Sequence, residues 1–160
     1  MIAPIASSAE PLRLALQPAA DAAPVVHDWS CTLSTAPWNA DVAAAQSARV
    51  RCNLWLAAFQ WPGPVERATA IVHELVRNAV LHGSADRRQN VTLRLAVTQV
   101  GALLVEVSDA LAAFPGFDPT GATYGGLARV RRHGAKVTWF PTDDGKTVQA
   151  RLTPPGAVRP

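Results

Sequence analysis

Glu74, Asn78 and His82 stand at every fourth position of the run PVERATAIVHELVRNAVLH, residues 64–82. On a helix that spacing stacks them on one face, one turn apart. A carboxylate can take a proton, and a carboxamide oxygen can hold a hard cation. Glu74 and Asn78 together therefore suit a general base beside a metal ligand. The plainer reading is a polar pair at the edge of a surface helix, which such spacing also produces. The run alone favours the plainer reading, and residues further along the chain shift the balance.

The segment that must position them is marked at both ends. Pro62, Gly63 and Pro64 punctuate its start, and Gly83 follows its last periodic residue, as helix boundaries commonly are. Val65, Ala68, Val72, Leu75, Val76 and Ala79 fall in one arc of about 100°, the expected core face. Glu74, Asn78 and His82 form a stripe beside that arc. Glu66, Thr69, His73 and Arg77 fall on the far side, where the pattern expects water.

The chain of 160 residues is 49% hydrophobic and 17% charged, the make-up of one globular domain that can bury a core. A net charge of +3 with scattered arginines supports a general attraction to anions and no direct nucleic-acid role. The two cysteines, Cys31 and Cys52, make neither a disulfide framework nor a metal set, and Cys52 reads as a small buried hydrophobe. The first residues lack the pattern of a secretory signal, and no apolar run approaches the roughly 18 residues of a membrane span. The expectation is a cytoplasmic protein with no membrane association.

Residues 1–27, rich in Ala and Pro, read as a loose tail with a short ordered piece near residues 12–16. The domain is expected over residues 28–153, with a second tail over 154–160. Trp29 to Leu33 reads as an edge strand. Asn39 is a candidate N-cap for a helix reaching about Phe59, with Val42, Ala45, Ala48, Cys52, Trp55, Leu56 and Phe59 as its core stripe. Val50 and Leu54 sit off that stripe and are expected to be exposed. After the helix that carries Glu74 comes a polar loop, residues 84–90. Strand alternation follows over residues 91–97 and again over 103–107, ending at Ser108 and Asp109. Residues 110–124 form a long loop with Pro115, Gly116, Pro119 and Gly121. Gly125 and Gly126 open a short helix stopped by Gly134. Strands follow over 136–140 and 146–152, joined by the turn Asp143-Asp144-Gly145. This order predicts an α+β fold, a two-layer α/β sandwich with a mixed, mostly antiparallel sheet and helices on one face.

Four pieces line up along the chain: Glu74 with Asn78, Asp109 at a strand end, Gly125-Gly126 at a helix start, and Gly145-Lys146-Thr147 entering a strand. Their order, and the run HELVRNAVLHG in particular, resembles the GHKL (Bergerat-fold) nucleotide-binding family. Within it the likeness is nearest to the small anti-sigma-factor serine/threonine kinases, over roughly residues 29–152. The resemblance implies a histidine kinase-like ATPase domain that binds ATP and Mg²⁺. Asn78 would then hold the metal ion, and Asp109 would accept a hydrogen bond from the adenine amine. Gly125, Gly126 and the N–H of Leu127 would cradle phosphate, and Thr147 would support Asp109 through a water. Glu74 would be the general base in phosphoryl transfer, while His82 carries no catalytic role. Read without the resemblance, Asp109 is a turn-capping residue, the glycines a loop-to-helix turn and Thr147 a strand threonine.

One departure stands out. Members of the family often follow the Asp with glycines, and here the run is Asp109-Ala110-Leu111-Ala112. Without glycine, positive φ is costly, which restricts the approach of a base. Residues 113–124 would be the lid over ATP, stiffened by their prolines. The resemblance implies a kinase that phosphorylates a small anti-anti-sigma (STAS-like) protein. A sigma factor is allowed as a second partner, and so is a homodimer. The alternative it leaves open is a catalytically weak or inactive nucleotide-gated module that sequesters a sigma factor or another regulator. A complete histidine kinase is not expected, since no sensor, membrane span or phosphoacceptor helix precedes the domain. Gyrase-like or MutL-like work is not expected either, for want of room for a transducer domain.

Overall fold

Period 2 and period 3.6 in the apolar residues set five strands against three helices among the described residues. In the computed structural model the described residues are 23–34, 40–83, 90–114 and 125–157. In chain order they form β1 (Val25–Leu33), α1 (Ala40–Ala58), α2 (Val65–His82), β2 (Val91–Thr98), β3 (Leu103–Asp109), α3 (Gly126–Arg132), β4 (Lys136–Thr142) and β5 (Gly145–Leu152). The proposed ordered piece near residues 12–16, Asn39 as an N-cap, most of the 84–90 loop and most of the 110–124 loop lie outside the described residues.

The strands make one open sheet in the order β1-β2-β3-β5-β4. Every ladder is antiparallel, so the parallel component allowed for in a mixed sheet is not present among the described strands. β1 begins at Val25, ahead of the expected start at Trp29. β4 is an edge strand, which is why it tolerates Pro141: the missing N–H is not needed in an inner ladder.

Period 2 sends Leu93, Leu95, Leu103, Val105, Val107, Val148 and Ala150 to the core beneath the helices. The opposite face mixes Ala96 and Leu104 with polar residues. On it Arg94 donates to Asp28 at 3.0 Å and to Glu106 at 2.7 Å, and Gln149 donates to Glu106 at 2.7 Å. These partners hold the Arg94 guanidinium protonated more firmly than usual.

α2 lies over the middle of the sheet, with α1 on one side and α3 on the other. Ala68, Val72, Leu75, Val76 and Ala79 are buried as the helical arc predicts, with Val65 partly so. On the far side of α2 Glu66 is exposed as the pattern expects, while Thr69, His73 and Arg77 are covered to different degrees. Thr69 is buried, its hydroxyl donating to the Glu66 carbonyl at 3.0 Å, and Arg77 Nε lies 3.9 Å from Asp41 of α1. A single helix pattern cannot show that a neighbouring helix covers a second face. On α1, Ala45, Ala48, Cys52 and Leu56 are buried, and Trp55 and Phe59 pack partly against the core. Val42 is 59% exposed, against the expected stripe, because α1 has only just begun there. Val50 and Leu54 are exposed as expected.

Candidate functional site

A cavity of about 360 Å³ opens between the second half of α2, the ends of β3 and β5, and the start of α3. α2 contributes Leu75, Asn78, Ala79 and His82, with Gly83 just beyond its end. The sheet contributes Val107, Asp109, Lys146 and Val148, and α3 contributes Gly125, Gly126 and Leu127. Leu111, Ala113 and Phe114, which follow β3, close one side. The structure thus brings together Asn78, Asp109, Gly125, Gly126 and Leu127, drawn from three separate elements.

Glycines allow these groups to approach. A Cβ on Gly126 would sit 2.6 Å from Asn78 Nδ2 and 2.7 Å from Oδ1. The carboxamide therefore lies directly against the backbone at the start of α3. Gly125 has φ of 102°, a conformation that side chains rarely adopt. At the other end of the cavity a Cβ on Gly83 would come within 2.6 Å of Asp109 Cβ. Gly83 ends α2 at φ of −85°, its N–H donating to the Ala79 carbonyl at 2.8 Å. Close approach of the Ala79 carbonyl and of Asp109, not a left-handed turn, is what requires glycine there.

Asp109 does not stand with a free carboxylate. Its Oδ1 accepts from Lys146 Nζ at 2.8 Å and from the Leu111 N–H at 3.0 Å. Lys146 also donates to the Leu111 carbonyl at 3.1 Å and lies 5.2 Å from the centre of the Phe114 ring. The two side chains are 3% and 4% exposed, so this ion pair is withdrawn from water. Burial pushes the Asp109 carboxyl above its usual range, against the opposing pull of Lys146 and of the Leu111 amide.

Thr147 is not at the cavity. Its hydroxyl meets Ser108 Oγ at 2.7 Å, and the β3–β5 register pairs these two residues on the sheet face away from the helices. The residue that supports Asp109 is its cross-strand partner Lys146, one position earlier than the sequence reading placed it. The signal was available. Val148, Ala150 and Leu152 face the core, and two residues back along that phase lies Lys146.

Glu74 sits one turn before Asn78 on α2 and does not line the cavity. Arg129 of α3 holds it, Nη1 lying 3.2 Å from Oε1 and 3.4 Å from Oε2. The Glu74 side chain is 13% exposed and that of Arg129 52%. His82 lines the cavity from an exposed position. Among the described residues there is no cluster of three or more His, Cys, Asp or Glu that would hold a metal ion alone. A cation here would take one oxygen from Asn78, with its other ligands from water or a phosphate.

The architecture is that of known proteins. A chain holding the RsbU and RsbW domains of Rv1364c from Mycobacterium tuberculosis superposes with a TM-score of 0.58 at 19% identity. That match covers 81% of the present chain and 33% of the other, so the chain spans about a third of its structural relative. The histidine kinase domain of the blue-light activated histidine kinase from Erythrobacter litoralis EL346 matches over a shorter stretch. There the identity is 28%, the coverage 56% of this chain and 45% of that one, and the TM-score 0.46. No family profile and no curated protein matches the sequence. The likeness to the Mycobacterium tuberculosis structure is one of fold, an α+β arrangement of an antiparallel sheet with helices on one face. No described helix is long and apolar enough to cross a membrane.

Proposed function

We propose that the cavity binds Mg-ATP and that the domain is a serine/threonine kinase of the anti-sigma type, acting on a small anti-anti-sigma (STAS-like) protein. The observation that carries this reading is the convergence of Asn78, Asp109 and the Gly125-Gly126 backbone on one cavity. Asn78 offers its carboxamide oxygen beside the first N–H groups of α3, which have no acceptor within the helix. A metal ion bound there would neutralise charge on a triphosphate. Gly126 keeps the space between Asn78 and that backbone open. Glu74, one turn away, is the residue to take the proton from an incoming hydroxyl. To reach it, Glu74 gives up Arg129, whose half-exposed side chain turns to water at little cost.

A second reading has its own observations. Glu74 is held by Arg129 and Asp109 by Lys146, so both groups that kinase chemistry needs are engaged. This favours a nucleotide-gated binding module with weak or no catalysis, which sequesters a sigma factor or another regulator. A fold shared with a chain that carries an RsbW domain accords with either reading.

Calorimetry of Mg-ATP with wild type, Asn78→Ala and Gly126→Ala tests the cavity. Both variants should bind more weakly, and unchanged affinity in both removes the assignment. Phosphate transfer to a serine of a STAS-type protein, lost in Glu74→Gln, separates the kinase from the binding module.

A further inference from the structure

The floor of the cavity holds a donor where the nucleotide reading needs an acceptor. Lys146 Nζ lies 2.8 Å from Asp109 Oδ1 and 3.1 Å from the Leu111 carbonyl, with the Phe114 ring 5.2 Å away. An exocyclic amine on a purine would want from Asp109 what this ammonium already takes. The ammonium is the stronger donor, because it is charged. It also competes from within the chain, so its effective concentration exceeds that of any dissolved ligand. Both strands hold it in register, with Asp109 opposite Lys146 in the β3–β5 ladder. Both of these hydrogen bonds to Asp109 fall on Oδ1, and Oδ2 belongs to a carboxylate whose charge the lysine has balanced, which makes it a poorer acceptor for a neutral amine.

We propose that Lys146 is the specificity-determining residue of this cavity: it takes the acceptor of Asp109 in place of a base amine, so that the protein binds purine nucleoside triphosphates without reading the 6-amino group. This rests on the nucleotide reading of the cavity given above. Affinity then comes from the phosphate end, and the base end tolerates an amine, a hydrogen or a carbonyl at position 6.

The test compares Mg-ATP, Mg-ITP (6-oxo) and the Mg complex of purine riboside triphosphate (6-hydrogen) by calorimetry on wild type and on Lys146→Met, with circular dichroism to confirm folding. Wild type should bind all three within about threefold of one another. Lys146→Met should bind Mg-ATP about tenfold or more tighter than wild type, and prefer it about tenfold over the 6-hydrogen analogue, the size of one hydrogen bond to a charged acceptor. A tenfold preference of wild type for ATP overturns the proposal, as does a Lys146→Met protein that gains neither affinity nor preference. Should Lys146→Met fail to fold, the wild-type comparison alone decides. If neither protein binds any triphosphate, the nucleotide reading itself falls and takes the inference with it. Tight binding without the expected analogue pattern removes the inference alone.

Discussion

Asp109 and Lys146 meet across the β3–β5 ladder at 2.8 Å, each almost fully removed from water. Charges so placed are dear to separate: removing one partner leaves the other uncompensated, at a cost of about 3–5 kcal/mol. Asp109→Ala should therefore destabilise the fold by that amount in urea titrations, and Lys146→Ala likewise. The double replacement Asp109→Leu with Lys146→Met should recover most of the loss. Two single variants each within about 1 kcal/mol of wild type would show that water reaches the pair.

Asp109 should keep its proton to higher pH in the folded chain than in the unfolded one. Its carboxyl is raised from the usual 3.8, mainly by burial, so the folded state binds the extra proton between 3.8 and the raised value. Across that window stability falls as pH rises, and above it the cost is constant. Asp109→Asn lacks this slope. Denaturation at stepped pH should show the wild-type advantage over Asp109→Asn shrinking with rising pH across the window, and a flat difference would contradict it.

Glu74 and Arg129 make a looser contact, with Arg129 half exposed. Arg129→Ala should alter stability by less than about 1 kcal/mol. Glu74→Gln should leave Mg-ATP affinity unchanged while lowering phosphate transfer by about 10²–10⁴-fold, the range of a lost general base. A Glu74→Gln protein that transfers phosphate at the wild-type rate would assign the proton to another group.

At Gly126 the question is space. A methyl there would press on both ends of the Asn78 carboxamide. Gly126→Ala should keep the fold, as shown by circular dichroism, and weaken Mg-ATP binding to the level of Asn78→Ala. Combining the two changes should add little further loss, because both act on one side chain.

Thiol chemistry probes the helical layer. Cys52 is fully buried in α1, and burial pushes its thiol up to about 12. In the native protein an aromatic disulfide reagent should label Cys31, which is partly exposed, and leave Cys52 untouched until denaturant is added. Rapid labelling of both would show that α1 lifts from the sheet.

The sequence made most of this fold legible because strand alternation and helical spacing are local. The runs around Leu95, Val105 and Val148 showed their inward phase, and HELVRNAVLHG showed Asn78 at the edge of a buried arc. What escaped depends on neighbours. Thr69 is buried because α1 covers a second face of α2. Val42 is exposed because its helix starts short of the core. Lys146 was passed over because a charge on the apolar phase of a strand makes sense only when its partner across the ladder is known. Thr147, the more familiar residue type, was preferred although its phase points away from the cavity.

The tight turn at Asp143-Asp144 bears on more than the surface. Gly145, which follows it, lies so close to the Asp109 carbonyl that a Cβ would overlap that oxygen. The turn therefore sets how closely β5 approaches the end of β3: a side chain at Gly145 would push the strand off the Asp109 carbonyl and move Lys146, the next residue, from the carboxylate it pairs with. A substitution at the rim would thus be felt one residue along, at the floor of the pocket.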